Sequence, residues 1–388
     1  MTHSTAVTLT STTRPPGPDE DPRHPARWRR RGLLLRFSVG VLAKKYVLRG
    51  LPVQPRAAEL FVTDNCNLRC ISCACWRTHT RDELTTAEWK RVITELAEVG
   101  VVKINFTGGE ALIRHDLLEL IDHARAQGVG DLHLNSNGLL LSRAKVHALL
   151  GAGVRSFNVS IDGPDAAAHD GVRGRDGAFA RTVANLRYLL LLREQLSLRV
   201  RMNMTVLEPT VSRLEEMADL ARNLDVPLYL NLGTDKTFLF RDDSVSAAVA
   251  VVAERAADGV RPLEAAELTL DPRIPGPSEL EYIKHFFGAS SAFSARRDPP
   301  CAESLLKILV HSTGEVGGCW GEHLEFNVRE HRIDAVLRDR AYRDAHSKWF
   351  RKECVRCGSN YALNLRFDPR SYAFDLRRRV QARMLVRR

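Results

Sequence analysis

The sequence predicts an α/β protein: a partial, TIM-like (β/α)6 barrel followed by a small C-terminal domain. Three observations carry this expectation. Six short apolar stretches, at about 57–64, 101–106, 131–136, 155–161, 197–206 and 226–232, have strand length. Segments with helical spacing separate them, and such alternation builds a parallel sheet. The chemically distinctive motifs follow the first four stretches, the strand ends where α/β barrels gather reactive groups. Eight units would close a barrel; six leave it about three-quarters complete.

Taken in order, residues 1–50 form a basic extension. Thr, Ser, Pro and charge dominate 1–28, a composition that predicts disorder, and 33–48 have helical periodicity. The barrel is expected over 51–270. Its clearest helix starts at Thr85, where Glu88 completes a capping box; Trp89, Val92, Ile93, Leu96 and Val99 form the apolar face. Another runs from about His115 to Gln127 and stops at Gly128. From about 270 the rhythm gives way to Pro-rich, Cys-containing sequence, which predicts a second domain over 271–365 and a basic tail over 366–388. Within that tail, Phe374, Leu376, Val380, Met384 and Leu385 lie against a row of arginines, an amphipathic helical pattern.

The chain has 388 residues and a formal net charge of +10. Residues 1–50 carry ten Lys/Arg against three Asp/Glu, and 366–388 carry eight against two; the stretch between them has a net charge of −3. Basic ends can meet nucleic acid, membranes or acidic partners, but solvated tails are the simpler reading, and nucleic acid is not the expected partner. Arg29-Arg30-Arg31 before Gly32-Leu33-Leu34-Leu35 faintly resembles a secretory signal, but Arg36 interrupts the apolar run. No run approaches the ~18 apolar residues of a membrane span. The eight cysteines suit thiolate ligation better than a disulfide framework, which predicts a cytoplasmic protein.

Cys66, Cys70 and Cys73 are spaced C-x3-C-x2-C. Three thiolates can hold three irons of a [4Fe–4S] cubane and leave the fourth open for chemistry. Zinc is the alternative, though its cysteine pairs usually come twice, and no second pair lies nearby. The spacing resembles the radical S-adenosylmethionine (SAM) superfamily, and the resemblance implies that the open iron binds SAM.

Further motifs extend the resemblance. Gly108-Gly109-Glu110, one β/α unit later, is similar to the family's SAM-clasping motif. There, residues without side chains let backbone approach the ligand, and Glu110 either accepts from the SAM ammonium or anchors the turn. Asn135-Ser136-Asn137-Gly138 resembles a Thr-Asn-Gly element, with Ser136 in place of Thr. Ser160 and Arg173 match positions that contact the ribose or carboxylate of SAM in relatives. Asn137 and Asp162 have turn chemistry as an equal reading. Relatives usually carry an aromatic residue at the position of Ser72, and Trp76 is the candidate to replace it.

Cys301, Cys319, Cys354 and Cys357 resemble the ligands of a Twitch domain, the short version of the SPASM extension. The resemblance implies one closed auxiliary [4Fe–4S] cluster for electron transfer; structural zinc is the alternative. Cys75 remains. It is either a small packed residue or a hydrogen-atom donor.

In relatives one electron from the cluster splits SAM, and the resulting 5′-deoxyadenosyl radical takes hydrogen from an unactivated C–H bond. A thiol returning hydrogen from the opposite face would make an epimerase. The leading expectation is a radical SAM epimerase of antibiotic biosynthesis that inverts a hydroxyl-bearing carbon of a sugar, with Cys75 as donor. The expected partners are a glycoside or oligosaccharide substrate and an electron donor such as flavodoxin or ferredoxin. The alternatives are a Twitch dehydrogenase acting on a sugar or aminocyclitol and a peptide-modifying maturase.

Overall fold

The computed structural model describes residues 54–73, 75–76, 82–207, 210, 212–232, 307–319 and 322–350. All belong to one unit, Gln54–Arg388. The expectations for residues 1–50, for Cys301, Cys354 and Cys357, and for the tail 366–388 lie outside the described residues.

Six parallel strands form where the apolar stretches predict them: β1 (Ala57–Phe61), β2 (Lys103–Thr107), β3 (Asp131–Ser136), β4 (Ser156–Ser160), β5 (Arg199–Val206) and β6 (Leu228–Leu232). They lie side by side in chain order, each parallel to the next. The connections carry α1 (Thr86–Glu98), α2 (Leu117–Ala126), α3 (Arg143–Ala152), α4 (Ala166–Arg173), α5 (Ala178–Arg193) and α6 (Leu214–Asn223). This is the expected α/β architecture with a parallel-dominated sheet.

Local chemistry sets the helix ends. Thr85 caps α1 through both bonds of the capping box: the Glu88 amide donates to Thr85 Oγ1 at 3.3 Å, and the Thr85 amide donates to Glu88 Oε2 at 2.7 Å. Trp89, Val92, Ile93 and Leu96 are completely buried against the sheet. Truncating Trp89 to alanine removes a core side chain worth about 3–5 kcal/mol. The chain leaves α2 through Gly128, whose φ of +84° suits a residue without Cβ.

The sheet continues beyond six strands. β7 (Lys307–Val310) pairs parallel to β1, and the antiparallel strands β8 (Glu315–Cys319) and β9 (Glu322–Asn327) follow it. The order is β6-β5-β4-β3-β2-β1-β7-β8-β9. Strands from the region read as a second domain thus extend the barrel sheet itself. β7 covers an edge of β1 that would otherwise leave unpaired backbone groups. Charged groups fasten the addition. Lys307 pairs with buried Glu59 of β1, Arg91 Nη2 donates to Val328 O at 2.8 Å, and Arg329 Nε pairs with Glu88 at 2.8 Å. The described chain ends in α7 (Ile333–Arg338) and α8 (Arg340–Phe350). The Ile333 amide donates to Glu95 Oε2 of α1 at 2.9 Å.

One feature departs from the all-apolar strands the sequence suggests. On β2–β6 the residues facing the helices are mostly apolar and join the main core, among them Ile104, Phe106, Leu132, Leu134, Phe157, Val159, Met202, Met204 and Leu230. The alternate positions are Lys103, Asn105 and Thr107; Asp131, His133 and Asn135; Ser156, Asn158 and Ser160; Arg199, Arg201, Asn203 and Thr205; Tyr229 and Asn231. Every one is polar. Parallel strands buried on both faces read as continuous apolar runs. Here the face turned away from the helices is built for polar contacts.

Candidate active site

The cysteine loop leaves β1 at the carboxyl end of the sheet. Its first residues are pinned from two sides. Glu83 accepts from the Asp64 amide at 2.7 Å and from Thr63 Oγ1 at 2.9 Å. Opposite, the Gly109 amide donates to Thr63 O and the Glu110 amide to Asn65 O, both at 2.8 Å. A Cβ on Gly108 would sit 2.2 Å from Thr63 O, and one on Gly109 would sit 2.4 Å from Asn65 O. The two glycines therefore admit the cysteine loop's own backbone, a contact the ligand-centred expectation did not include.

Glu110 is buried and anchors the turn. It accepts from the Leu112 amide (3.2 Å), Ser136 Oγ (3.0 Å) and the Asn137 amide (2.8 Å), tying the end of β2 to the end of β3. A carboxylate offers about four acceptor positions, so these bonds leave about one. Burial raises its pKa, opposed by the three donors. Asn137 reaches back to the cysteine loop, donating from Nδ2 to Asn67 Oδ1 at 2.7 Å, while its Oδ1 accepts from the Leu139 amide at 3.0 Å. The second of these bonds is the turn chemistry expected of Asn137.

The loop's far side docks on the end of α4. The Arg69 and Ile71 amides donate to Arg173 O and Val172 O at 3.2 and 3.0 Å. Gly174, at φ +65°, keeps clear of Arg69 O. Trp76 Nε1 donates to Cys70 O at 3.2 Å, and the Arg69 guanidinium lies 5.9 Å from the Trp76 ring centroid.

Cys66, Cys70, Cys73 and Cys75 form no disulfide. Cys70 is buried with Leu68, Leu139 and Ala178, and Cys66 and Cys73 pack on that apolar bed, half exposed. Burial pushes the Cys66 thiol up to about 12 and raises Cys70 as well. The surroundings alone therefore do not favour the thiolates, and bound iron would supply the missing positive charge. Among the described residues no three His, Cys, Asp or Glu side chains converge as they would on one metal ion. A cubane does not ask for that, because each thiolate takes a different iron. Three cysteines gathered on an apolar bed, each able to take a different iron, fit such a cluster.

Arg173 lies against this set. Its Nη1 donates to Cys70 Sγ at 3.8 Å, and its Nε pairs with Asp162 Oδ2 at 2.8 Å. Asp162 is buried, accepts from the Thr205 amide at 2.8 Å, and donates its own amide to His169 Nδ1 at 3.2 Å. Burial lowers the His169 pKa to about 4. Ser160 ends β4 half-buried, its hydroxyl without a hydrogen bond among the described residues. Cys75 is buried and its thiol hydrogen-bonds to Cys73, which raises its pKa well above the usual thiol range.

The structure thus brings Cys66, Cys70 and Cys73 beside Gly108–Glu110, Ser136–Asn137 and Arg173. The backbone of Cys319 ends β8, which runs antiparallel to β7. That places Cys319 toward the amino-terminal end of β1, the end of the sheet opposite the cysteine loop. Sequence reading missed Glu83, Asn67 and Arg114. Arg114 donates to Val62 O (2.8 Å) and Leu84 O (2.9 Å) beneath the loop and pairs with Asp116 at 2.6 Å. No local pattern marks them. The inward polar set does have a signal, the period-two polarity of each strand.

No helix among the described residues is long and apolar enough to cross a membrane. Comparison with known proteins matches residues 60–221 to the radical SAM superfamily. An AdoMet-dependent heme synthase of Methanosarcina barkeri is 34% identical over 177 residues, 45% of this chain and 49% of that protein. A PqqA peptide cyclase of Rhodopseudomonas palustris is 35% identical over 173 residues, 44% of this chain and 45% of that protein. The chain spans about half the length of these relatives. Among solved structures, Streptococcus suis SuiB bound to precursor peptide SuiA aligns with TM-score 0.53 at 16% identity, covering 80% of this chain and 70% of that one; the likeness is one of fold. Residues 60–221, the stretch that holds the three-cysteine loop, match the radical SAM superfamily, the family whose cofactors are SAM and a [4Fe–4S] cluster.

Proposed function

We propose that this protein is a radical SAM enzyme that takes hydrogen from a C–H bond of a peptide. The radical step rests on the three-cysteine loop. The substrate class rests on one observation, the polar inner face of the sheet. Its asparagines, one on each of β2–β6 (Asn105, Asn135, Asn158, Asn203 and Asn231), offer neutral donors and acceptors that match peptide amides. Asn105 Oδ1 and Asn158 Oδ1 are buried with no hydrogen-bond partner among the described residues, and an apolar ligand would leave them so, at a cost of about 1–3 kcal/mol each. The PqqA peptide cyclase relatives support the same direction.

Cys66, Cys70 and Cys73 would hold the cluster, with Cys70 deepest. Bound there, cluster and SAM would supply the one-electron chemistry that removes hydrogen from carbon. The chain's own part is positional. Gly108–Glu110 and Ser136–Asn137 lock the rim, Ser160 would offer its hydroxyl to SAM, and Asn158 lies one inward step below Ser160, about 6–7 Å deeper along β4. Burial pushes the His133 pKa down to about 3, so this inward imidazole is neutral and hydrogen-bonds Ser156 Oγ (2.6 Å) and Asn135 Oδ1 (3.0 Å). We retain Cys301, Cys319, Cys354 and Cys357 as ligands of an auxiliary cluster that would conduct electrons.

A second reading, oxidation of a secondary alcohol of a sugar or aminocyclitol, draws on the same amide-lined face, since hydroxyls also pair with amides. Sugar epimerisation has no support among the relatives. The test is anaerobic incubation of reconstituted enzyme, SAM and reductant with a degenerate short-peptide pool or a panel of glycosides and aminocyclitols. The expected result is 5′-deoxyadenosine above the substrate-free level with peptides, accompanied by hydrogen loss from a peptide. Stimulation by glycosides alone would overturn the peptide assignment, and absence of SAM cleavage throughout would overturn the radical reading.

A further inference from the structure

We infer that Arg173 is a positioning residue that acts through Cys70 to raise the reduction potential of the SAM-binding cluster, with Asp162 setting how much of its charge the cluster feels. Its Nη1 donates to Cys70 Sγ at 3.8 Å, and its other edge pairs with Asp162 Oδ2 at 2.8 Å. The Arg173 side chain is 12% exposed and that of Asp162 2%, so water screens the charges poorly. The geometry is held from several directions. Asp162 is bonded to the Thr205 amide, and the backbone carbonyl of Arg173 accepts from the Arg69 amide, one residue from Cys70.

Charge and hydrogen bonds to sulfur are two determinants of cluster potential. Reduction adds one electron and makes the thiolate-bound cluster more negative, so a cation on a ligand sulfur favours the reduced form. Asp162 opposes that effect by pairing with the same guanidinium. The two residues therefore carry opposite signs: loss of the arginine charge lowers the potential, and loss of the aspartate charge raises it. A role confined to the carboxylate of SAM predicts no change at all before SAM is added.

The inference rests on the three cysteines holding a cluster, which iron content and the electron paramagnetic resonance signal of the wild type test separately. The experiment is a redox titration of the full reconstituted chain without SAM, using Ti(III) citrate, following the resonance signal that SAM perturbs in the wild type. At the wild-type midpoint, Arg173→Gln is expected to lower the ratio of reduced to oxidised cluster about tenfold, equivalent to 59 mV for one electron. Asp162→Asn is expected to raise that ratio, and Arg173→Lys to recover most of the wild-type value. Unchanged midpoints, or a shift of both charge-removing variants in the same direction, would overturn the assignment. Loss of iron from Arg173→Gln with retention in Arg173→Lys is judged on Asp162→Asn, whose upward shift supports the inference and whose wild-type midpoint overturns it.

Discussion

Replacing Gly109 with alanine tests how the cysteine loop is held. Gly109 is not at positive φ, so the effect is steric rather than conformational. The added Cβ would lie 2.4 Å from Asn65 O and 2.5 Å from Asp64 O, both backbone atoms that cannot rotate away. Relief requires the two loops to part, which breaks the bonds from Gly109 N to Thr63 O and from Glu110 N to Asn65 O. Overpacking costs about 1–3 kcal/mol and each lost backbone bond about 1 kcal/mol. The combined loss, about 3–5 kcal/mol, is large beside a typical stability of about 5–15 kcal/mol. It corresponds to a fall in Tm of roughly 6–20 °C. The assay is thermal unfolding together with iron bound per chain after reconstitution, both of which should drop. Gly151→Ala is the control, since a Cβ there meets nothing within 4 Å and the residue lies within α3. Alanine should stabilise that helix by about 0.5–1 kcal/mol. A Gly109→Ala protein with wild-type Tm and wild-type iron would refute the close-approach argument.

Glu88 carries a pH prediction. Hydrogen bonding to Arg329 holds its pKa at about 2 in the folded protein. A depressed folded pKa contributes stability that is present above the unfolded value, about 4.3, and is lost as pH falls toward 2. Glu88→Gln should therefore flatten the stability–pH curve between about pH 4.3 and 2, read by urea unfolding at stepped pH. His133 titrates in the same sense from a different cause, burial. Its folded pKa of about 3 lies below the unfolded value of about 6.5, so its contribution is complete above 6.5 and declines as pH falls toward 3. His133→Gln should remove that decline, and an unchanged slope there would count against the buried neutral imidazole. Glu110→Gln puts an amide where three donors converge and is expected to cost about 1–3 kcal/mol, with loss of reconstituted iron. Cys75→Ala should retain iron and SAM cleavage. A change in the ratio of hydrogen-returned to oxidised product would identify Cys75 as the hydrogen donor, and an unchanged ratio would leave it a packing residue.

Much of the scaffold was readable from one dimension because its signals are local. The capping box at Thr85–Glu88, the apolar spacing through Leu96 and the glycine stop at Gly128 each depend on residues within a turn or two of one another. The six strand sites and the cysteine loop after β1 follow from the same kind of information. Spacing marked Cys66, Cys70 and Cys73 as candidate ligands, since a three-cysteine loop is a contiguous piece of chain.

What the folded chain alone decided involves partners far apart in sequence. Asn137 meets Asn67, Arg173 meets Cys70, and Lys307 meets Glu59 across separations of 70, 103 and 248 residues. No periodicity encodes such meetings, because they arise when strand order and register bring loop ends together. The same holds for β7, which pairs in parallel with β1 although the two strands lie far apart in sequence. Composition and local spacing determine which elements form and which side chains can ligate iron. Register determines which charge lies against which sulfur, because hydrogen-bonded strands set those positions without regard to distance along the chain.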